Sequence, residues 1–335
     1  MPELRDLQRT GARPSSMLPT AAELEAAESI VHAVLPPTPQ YAWPLLAERV
    51  GADVWVKHEN HTPLGAFKVR GGLTYLDWLR RTQPDVEGVI AATRGNHGQS
   101  IGFAARLHGM RAAIVVPRGN STEKNDAMRA LGVELITEGD DFQASLEAAQ
   151  HLARERGWHS VPSFHPRLVT GVATYALELL RAAPHLDTIY VPIGMGSGIV
   201  GMLAARAALG LHTKVVGVVS AAAPAYAHSI AAGRSVSHPA TTRIADGMAC
   251  RTPDPVALDI IGRSVERIVL VSDGEIENAM RVLFSAAHTV AEGAGAAALA
   301  ALLQERDAMR DRAVGVIVSG GNVDREVYAR VLGGA

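Results

Sequence analysis

Lys68 stands in a setting that few lysines occupy. It closes the run Pro63-Leu-Gly-Ala-Phe-Lys68 and is followed by Val-Arg-Gly71-Gly72. Small and apolar neighbours let the backbone approach a ligand closely and strip water from the ammonium. A desolvated lysine loses part of its basicity and can form a Schiff base with a carbonyl compound. A second segment, Ile193-Gly194-Met195-Gly196-Ser197-Gly198-Ile199, carries glycine at alternate positions between an apolar run and a helical one. Such a loop exposes its N–H groups, and a helix starting behind it adds the positive end of its dipole, which suits an anion. It lacks the Lys-Ser/Thr of a nucleoside triphosphate loop, and its G-x-G-x-G spacing departs from the dinucleotide pattern. The expected guest is a single phosphate monoester. A phosphate cradle together with an imine-forming lysine points to pyridoxal phosphate.

Other reactive side chains are less telling. The 13 histidines include His58, His61, His97 and His108, and none of them falls into H-E-x-x-H or comparable ligand spacing. The single cysteine, Cys250, excludes an internal disulfide and a cysteine-rich zinc site, and packing is its expected role. Val219-Ser-Ala-Ala-Ala-Pro-Ala225 holds no carboxylate, so no strong magnesium or calcium site is expected there, and none elsewhere.

The elements that must position these residues follow a strand–helix rhythm. Thr20 and Glu23 form a capping-box pattern for a helix over 21–34, stopped by Pro36-Pro37. Apolar runs predict strands at 53–56, 88–92, 112–117, 133–136, 188–192, 214–219, 267–271 and 314–318. Helical spacing covers 71–81, the stretch from the 93–97 turn to about 108, 123–131, 142–156, 199–209, 273–289 and 293–304. Continuous rather than alternating strands imply sheets covered on both faces. The expected fold class is α/β, two interleaved domains with mostly parallel sheets. In such folds ligands bind beyond the carboxyl ends of strands. The unusual segments 60–72, 93–98, 193–199 and 319–322 fall there.

Composition narrows the partners. Lys+Arg total 32 against Asp+Glu 34, giving a formal charge of −2, and no basic block occurs. Neither nucleic acid nor an anionic membrane surface is an expected partner. With 47% hydrophobic residues the 335-residue chain can bury about two domains' worth of core. No long apolar span or targeting signal is visible, and a cytoplasmic protein is expected.

In four blocks, in order and spacing, the sequence resembles the serine/threonine dehydratase branch of the pyridoxal-phosphate enzymes with the tryptophan-synthase-β-like fold. These are Phe67-Lys68-Val-Arg70-Gly71, Gly95-Asn96-His97-Gly98, Gly194 to Gly198, and Ser319-Gly-Gly-Asn322. The resemblance runs from about Thr38 to the end. It implies a large cofactor-binding domain over 1–61 and 163–335, with a small domain, 62–162, inserted in it. It implies that Lys68 holds the cofactor as a Schiff base and then acts as the base at Cα. Phe67 would pack beside the pyridine ring and Asn96 would donate to the ring 3-oxygen. Gly194, Met195, Gly196, Ser197 and Gly198 would hold the phosphate, and Ser319 would bond the ring nitrogen. Thr93, Arg94, Gly95 and His97 lie where the family binds substrate. Glu292 sits where relatives place a glutamate near the cofactor; a charge at a helix N-terminus is an equal reading.

The implied activity is β-elimination from a β-hydroxy-α-amino acid of the threonine or serine type, or a bulkier aryl serine, to a 2-oxo acid and ammonia. A neutral Ser319 makes the ring a weaker electron sink than a carboxylate partner would, which disfavours transamination. Leu64 and Ala66 replace hydroxyl residues usual before the Phe-Lys pair. Arg94 stands where racemases of this branch carry a serine acid/base, and arginine donates protons poorly. Arg94 then either shapes the substrate end or makes a structural contact. Racemisation, β-replacement and cofactor binding without turnover are the alternatives. No regulatory module follows Asn322, so a catabolic enzyme without isoleucine feedback is expected, as a homodimer or homotetramer.

Overall fold

The computed structural model describes residues 18–334. Residues 1–17, which include most of the stretch searched for a targeting signal and the start of the expected large domain, lie outside the described residues. The expected capping box is present: Thr20 Oγ1 accepts from Glu23 N, and Glu23 answers the Thr20 N–H. It opens α1 (Ala21–His32).

Two sheets organise the molecule. The first contains β1 (Gln40–Ala42), β2 (Asp53–His58), β7 (Thr188–Pro192), β8 (Lys214–Ser220), β9 (Arg267–Val271) and β10 (Ala313–Val318), in the order β1-β2-β10-β7-β8-β9. Only β1 runs antiparallel. The second contains β3 (Gly88–Ala92), β4 (Arg111–Val116), β5 (Glu134–Thr137) and β6 (His159–Ser160), all parallel, in the order β5-β4-β3-β6. Every strand of the second sheet lies between residues 88 and 160, and every strand of the first lies outside that range. Each sheet is covered on both faces. In β8, Val216 and Val218 enter one core while Val215 and Val219 enter the other; in β3, Val89 and Ala91 face away from Ile90 and Ala92. That double burial is why these strands read as unbroken apolar runs.

The helices are α2 (Pro44–Val50), α3 (Lys68–Thr82), α4 (Asn96–Leu107), α5 (Thr122–Ala130), α6 (Phe142–Arg156), α7 (Pro166–Ala182), α8 (Ser197–Ala208), α9 (Ala225–Ala232), α10 (Pro255–Ser264), α11 (Asp273–Ala287), α12 (Gly293–Gln304) and α13 (Arg325–Gly333). Helix α3 begins at Lys68, three residues before the expected start, and α11 ends at Ala287 rather than 289. Helix α7 occupies a stretch where no element was expected, as do α2, α9, α10 and α13. Gly171 and the β-branched Val169, Thr170, Val172 and Thr174 lower its intrinsic propensity, and burial against α3 and α8 overrides them.

Under α3 lies a buried charge network. Arg70 Nε donates to Glu59 Oε2 at 2.7 Å and Arg70 Nη1 to Glu178 Oε1 at 2.6 Å. Lys57 Nζ donates to Glu178 Oε2 at 2.5 Å, and Thr174 Oγ1 accepts from Arg70 at 2.9 Å. Arg70, Glu59 and Lys57 are each fully buried. Two cations and two carboxylates cancel, so the network fixes the start of α3 without leaving a bare charge.

Candidate active site

Four segments meet beyond the carboxyl ends of parallel strands. Lys68 follows β2 and a short 3-10 turn over Glu59–His61. The Thr93–His97 turn leaves β3, the glycine loop leaves β7, and Ser319 leaves β10. The first and last are tied by backbone: Phe67 N donates to Ser319 O at 3.1 Å, and Gly321 N to Gly65 O at 2.9 Å. Asn322 Nδ2 donates to Leu64 O at 2.8 Å. Thr62 Oγ1 bonds both the N–H and the carbonyl of Ala66 at 3.0 Å, so a hydroxyl braces this loop from a neighbouring position.

The Lys68 ammonium donates to Ser197 Oγ at 3.2 Å and lies 5.0 Å from the centroid of the Phe67 ring. Burial pulls its pKa down to about 8, against the opposing pull of the Glu292 carboxylate. A lysine so placed is in part a free amine near neutrality, the form that attacks carbonyls and accepts protons.

Ser197 opens α8, and the loop before it is shaped by Gly196 at φ +102°, a conformation that L side chains rarely adopt. Tyr226 Oη donates to Met195 O at 3.0 Å and Tyr175 Oη to Gly198 O at 2.9 Å. The first N–H groups of α8 have no carbonyl a turn earlier in the helix to bond and are left for an anion.

Glu292 is 3% exposed and sits at the N-cap of α12, yet its side chain makes no capping bond. Its Oε1 accepts from Asn96 Nδ2 at 2.6 Å, and its Oε2 lies 3.0 Å from Lys124 Nζ. The plain helix-terminus reading therefore gives way to a contact across the cleft. Lys124 also donates to Asp246 Oδ2 at 2.7 Å. Burial raises the Glu292 pKa, and Lys124 offsets only part of that; burial lowers Lys124, but the two carboxylates more than offset it and hold it protonated. Lys124 is absent from the sequence-derived set because a lysine in a polar helix carries no local signature, and Asp246 is 122 positions away from it.

His97 is 8% exposed, and its Nε2 has no partner among the described residues. Burial, followed by the charge of Lys68, drops its pKa to about 3, so the ring is neutral. Thr93 Oγ1 accepts from Gly95 N at 3.0 Å and shapes the turn. Arg94 is half-buried, and its charge acts on Asp141, a carboxylate held low first by the Ala144 N–H and then by Arg251. Asp141 Oδ2 and Arg251 Nη1 are 3.0 Å apart in an exposed pair. Cys250 is buried and donates to Thr252 O at 3.3 Å; burial pushes its thiol up to about 11, which leaves it unreactive.

The arrangement fits pyridoxal phosphate. A desolvated amine, a glycine loop at a helix start, a serine just past the end of β10 and an unpartnered buried imidazole nitrogen gather around Lys68. Among the described residues no group of three His, Cys, Asp or Glu side chains could hold a metal ion, and no helix is long and apolar enough to cross a membrane.

Comparison with known proteins agrees. Residues 32–320 match the family described as pyridoxal-phosphate dependent enzyme. The chain is 32% identical to an L-threonine ammonia-lyase of Thermotoga maritima over 289 residues, 86% of this chain and 72% of that protein. It is 31% identical to the catabolic L-threonine dehydratase TdcB of Escherichia coli over 290 residues, 86% of this chain and 88% of that one. The structure of maize serine racemase superposes with a TM-score of 0.86 at 27% identity, covering 94% of this chain and 97% of that one. Fold, cleft and relatives agree, and the chain belongs to the family of pyridoxal-phosphate dependent enzymes.

Proposed function

We propose that this enzyme is an ammonia-lyase that dehydrates and deaminates a β-hydroxy-α-amino acid of the threonine or serine type. Its cleft would lie between a small domain, 62–162, and the large domain into which it is inserted. The observation that carries the reading is the pairing of a desolvated Lys68 amine with a neutral hydroxyl, Ser319, rather than a carboxylate at the end of β10. The relatives named for threonine deamination support it.

Bound pyridoxal phosphate supplies a conjugated sink for the electron pair left at Cα. The protein does the rest. The α8 N-terminus and the Gly194–Gly198 backbone, with Met195 and Ser197 between the glycines, hold the phosphate. Ser319 would hydrogen-bond the ring nitrogen without protonating it, and Phe67 and Asn96 would hold the ring. Backbone N–H groups of the Thr93–His97 turn receive the substrate carboxylate. A neutral His97 adds no charge there. The Lys68 amine removes the Cα proton, and the Cβ–O bond breaks with loss of water. Water then replaces the nitrogen, so the net products are a 2-oxo acid and ammonia.

Arg94 lies in the turn at the position that a racemase serine would take, and an arginine there is a poor proton donor for exchange at Cα. The setting we favour is a cytoplasmic homodimer or homotetramer; sedimentation of the purified protein checks the assembly. The test of activity is a panel of β-hydroxy amino acids, aryl serines included, scored for ammonia and 2-oxo acid. Product is expected from the wild type and none from Lys68→Ala. Loss of substrate handedness without ammonia would show a racemase, and product only with an added thiol would show β-replacement.

A further inference from the structure

Lys124 crosses from one body of the molecule to the other. It lies in the first turn of α5, beside the four-stranded sheet, while Asp246 and Glu292 belong to the segments around the six-stranded sheet. Its side chain is 6% exposed and that of Glu292 4%, so little solvent screens the pair. Two residues just before Lys124 cross as well: Ser121 Oγ donates to Asp324 Oδ1, and Glu123 Oε1 accepts from Arg325 N at 2.9 Å. The substrate turn leans on the lysine stem. A Cβ at Gly95, whose φ is +155°, would stand 2.5 Å from Lys124 Cδ.

The contacts form a chain of fixed polarity. An ammonium only donates and a carboxylate only accepts, whereas an amide does one at each end. Asn322 Nδ2 has two protons, directed to Leu64 O and to Asn96 Oδ1, each at 2.8 Å. Asn96 Oδ1 is therefore occupied, and Asn96 Nδ2 spends one proton on Glu292 Oε1 and keeps one. This order holds only while Glu292 is an acceptor at Oε1. The charged groups acting on Glu292 are Lys124, Asp246 and Lys68, and the amide of Asn96 also bonds it. With Lys124 gone, a carboxyl that is buried and faces Asp246 takes up a proton; where that proton sits on Oε1, the oxygen becomes a donor and competes for Asn96 Oδ1.

We propose that Lys124 is a positioning residue: it holds Glu292 as a carboxylate and so fixes which end of the Asn96 amide faces the cofactor. The proposal rests on the role of Asn96 given above. It does not depend on which amino acid the enzyme consumes.

The test compares wild-type holoenzyme with Lys124→Met, Lys124→Arg and Lys124→Met/Glu292→Gln, without substrate. Infrared spectra at neutral pH are expected to show the carbonyl stretch of a protonated carboxyl in Lys124→Met, absent from the wild type, from Lys124→Arg and from the double variant. The pH midpoint of the cofactor's visible absorption is expected to move by about one unit or more in Lys124→Met and to return with Lys124→Arg. A Lys124→Met enzyme with no such band and an unmoved midpoint overturns the proposal. If Lys124→Met does not fold, Lys124→Gln, uncharged but still a donor, replaces it, and absence of the band there has the same force. An enzyme that shows the band yet releases no ammonia from any β-hydroxy amino acid leaves Lys124 in place and defeats the assigned reaction instead.

Discussion

Lys68 is a cation in surroundings that disfavour one, and the nearby Glu292 carboxylate is what tempers that. Because burial lowers the amine and Glu292 raises it, removing the carboxylate moves the balance one way. In Glu292→Gln the pKa of Lys68 falls below about 8. The check is the pH at which an amine-reactive reagent labels Lys68 in cofactor-stripped protein, read by peptide mass spectrometry. Labelling of the free amine is expected to reach its midpoint at lower pH in the variant; a midpoint at or above the wild-type value would show that Glu292 carries no charge there. At this scale the sequence was informative where chemistry is written locally. Lys68, the alternate glycines and Ser319 stand in short, odd segments. Lys124 and Asp246 were opaque because what matters about them is whom they meet.

At the scale of elements, the start of α3 is set by how closely α7 approaches it. Gly171 makes that approach possible: a Cβ there would lie 2.2 Å from Arg70 O and 2.4 Å from Thr74 Oγ1. Gly171→Ala must push the helices apart, at a cost of about 1–3 kcal/mol. Urea unfolding measures that loss. Arg70 is two residues from Lys68, so the titration of apoprotein with pyridoxal phosphate is expected to weaken in the same variant. Strands and amphipathic helices were legible because double burial and one-sided burial leave different periods. Helices α2, α7, α9, α10 and α13 were not expected; in α7 the glycine and β-branched residues, poor helix formers, mask an apolar face that serves packing partners elsewhere in the chain.

For the whole molecule, the buried network ties β2, the turn after it, α3 and α7 into one unit. Burial would raise the Glu178 pKa, but the hydrogen bonds and charge of Arg70, with Lys57, outweigh it and hold the carboxyl at about 2. A folded pKa below the unfolded value, 4.5, stabilises the protein above 4.5, and that stability drains away as pH falls toward 2. Urea midpoints are expected to be flat above 4.5 in this respect and to drop below it. Arg70→Met leaves Glu59 and Glu178 with Lys57 as their one buried cation and is expected to cost about 3–5 kcal/mol at neutral pH. The acid loss should then begin at higher pH, and an unchanged acid limb would place the cause in other carboxylates.

What the sequence determined by itself was the chemistry on offer: a lysine among small and apolar neighbours, a loop of alternate glycines before a helix, and strands buried on both faces. These follow from residue types a few positions apart, where covalent connection enforces proximity. What only the tertiary structure decided was the charge state and orientation of the groups around them. Glu292 is a bridge rather than a helix cap because Asn96, 196 positions away, and Lys124 come to it from the other body. Coulomb energy and desolvation depend on distance through space, and no spacing along the chain encodes that.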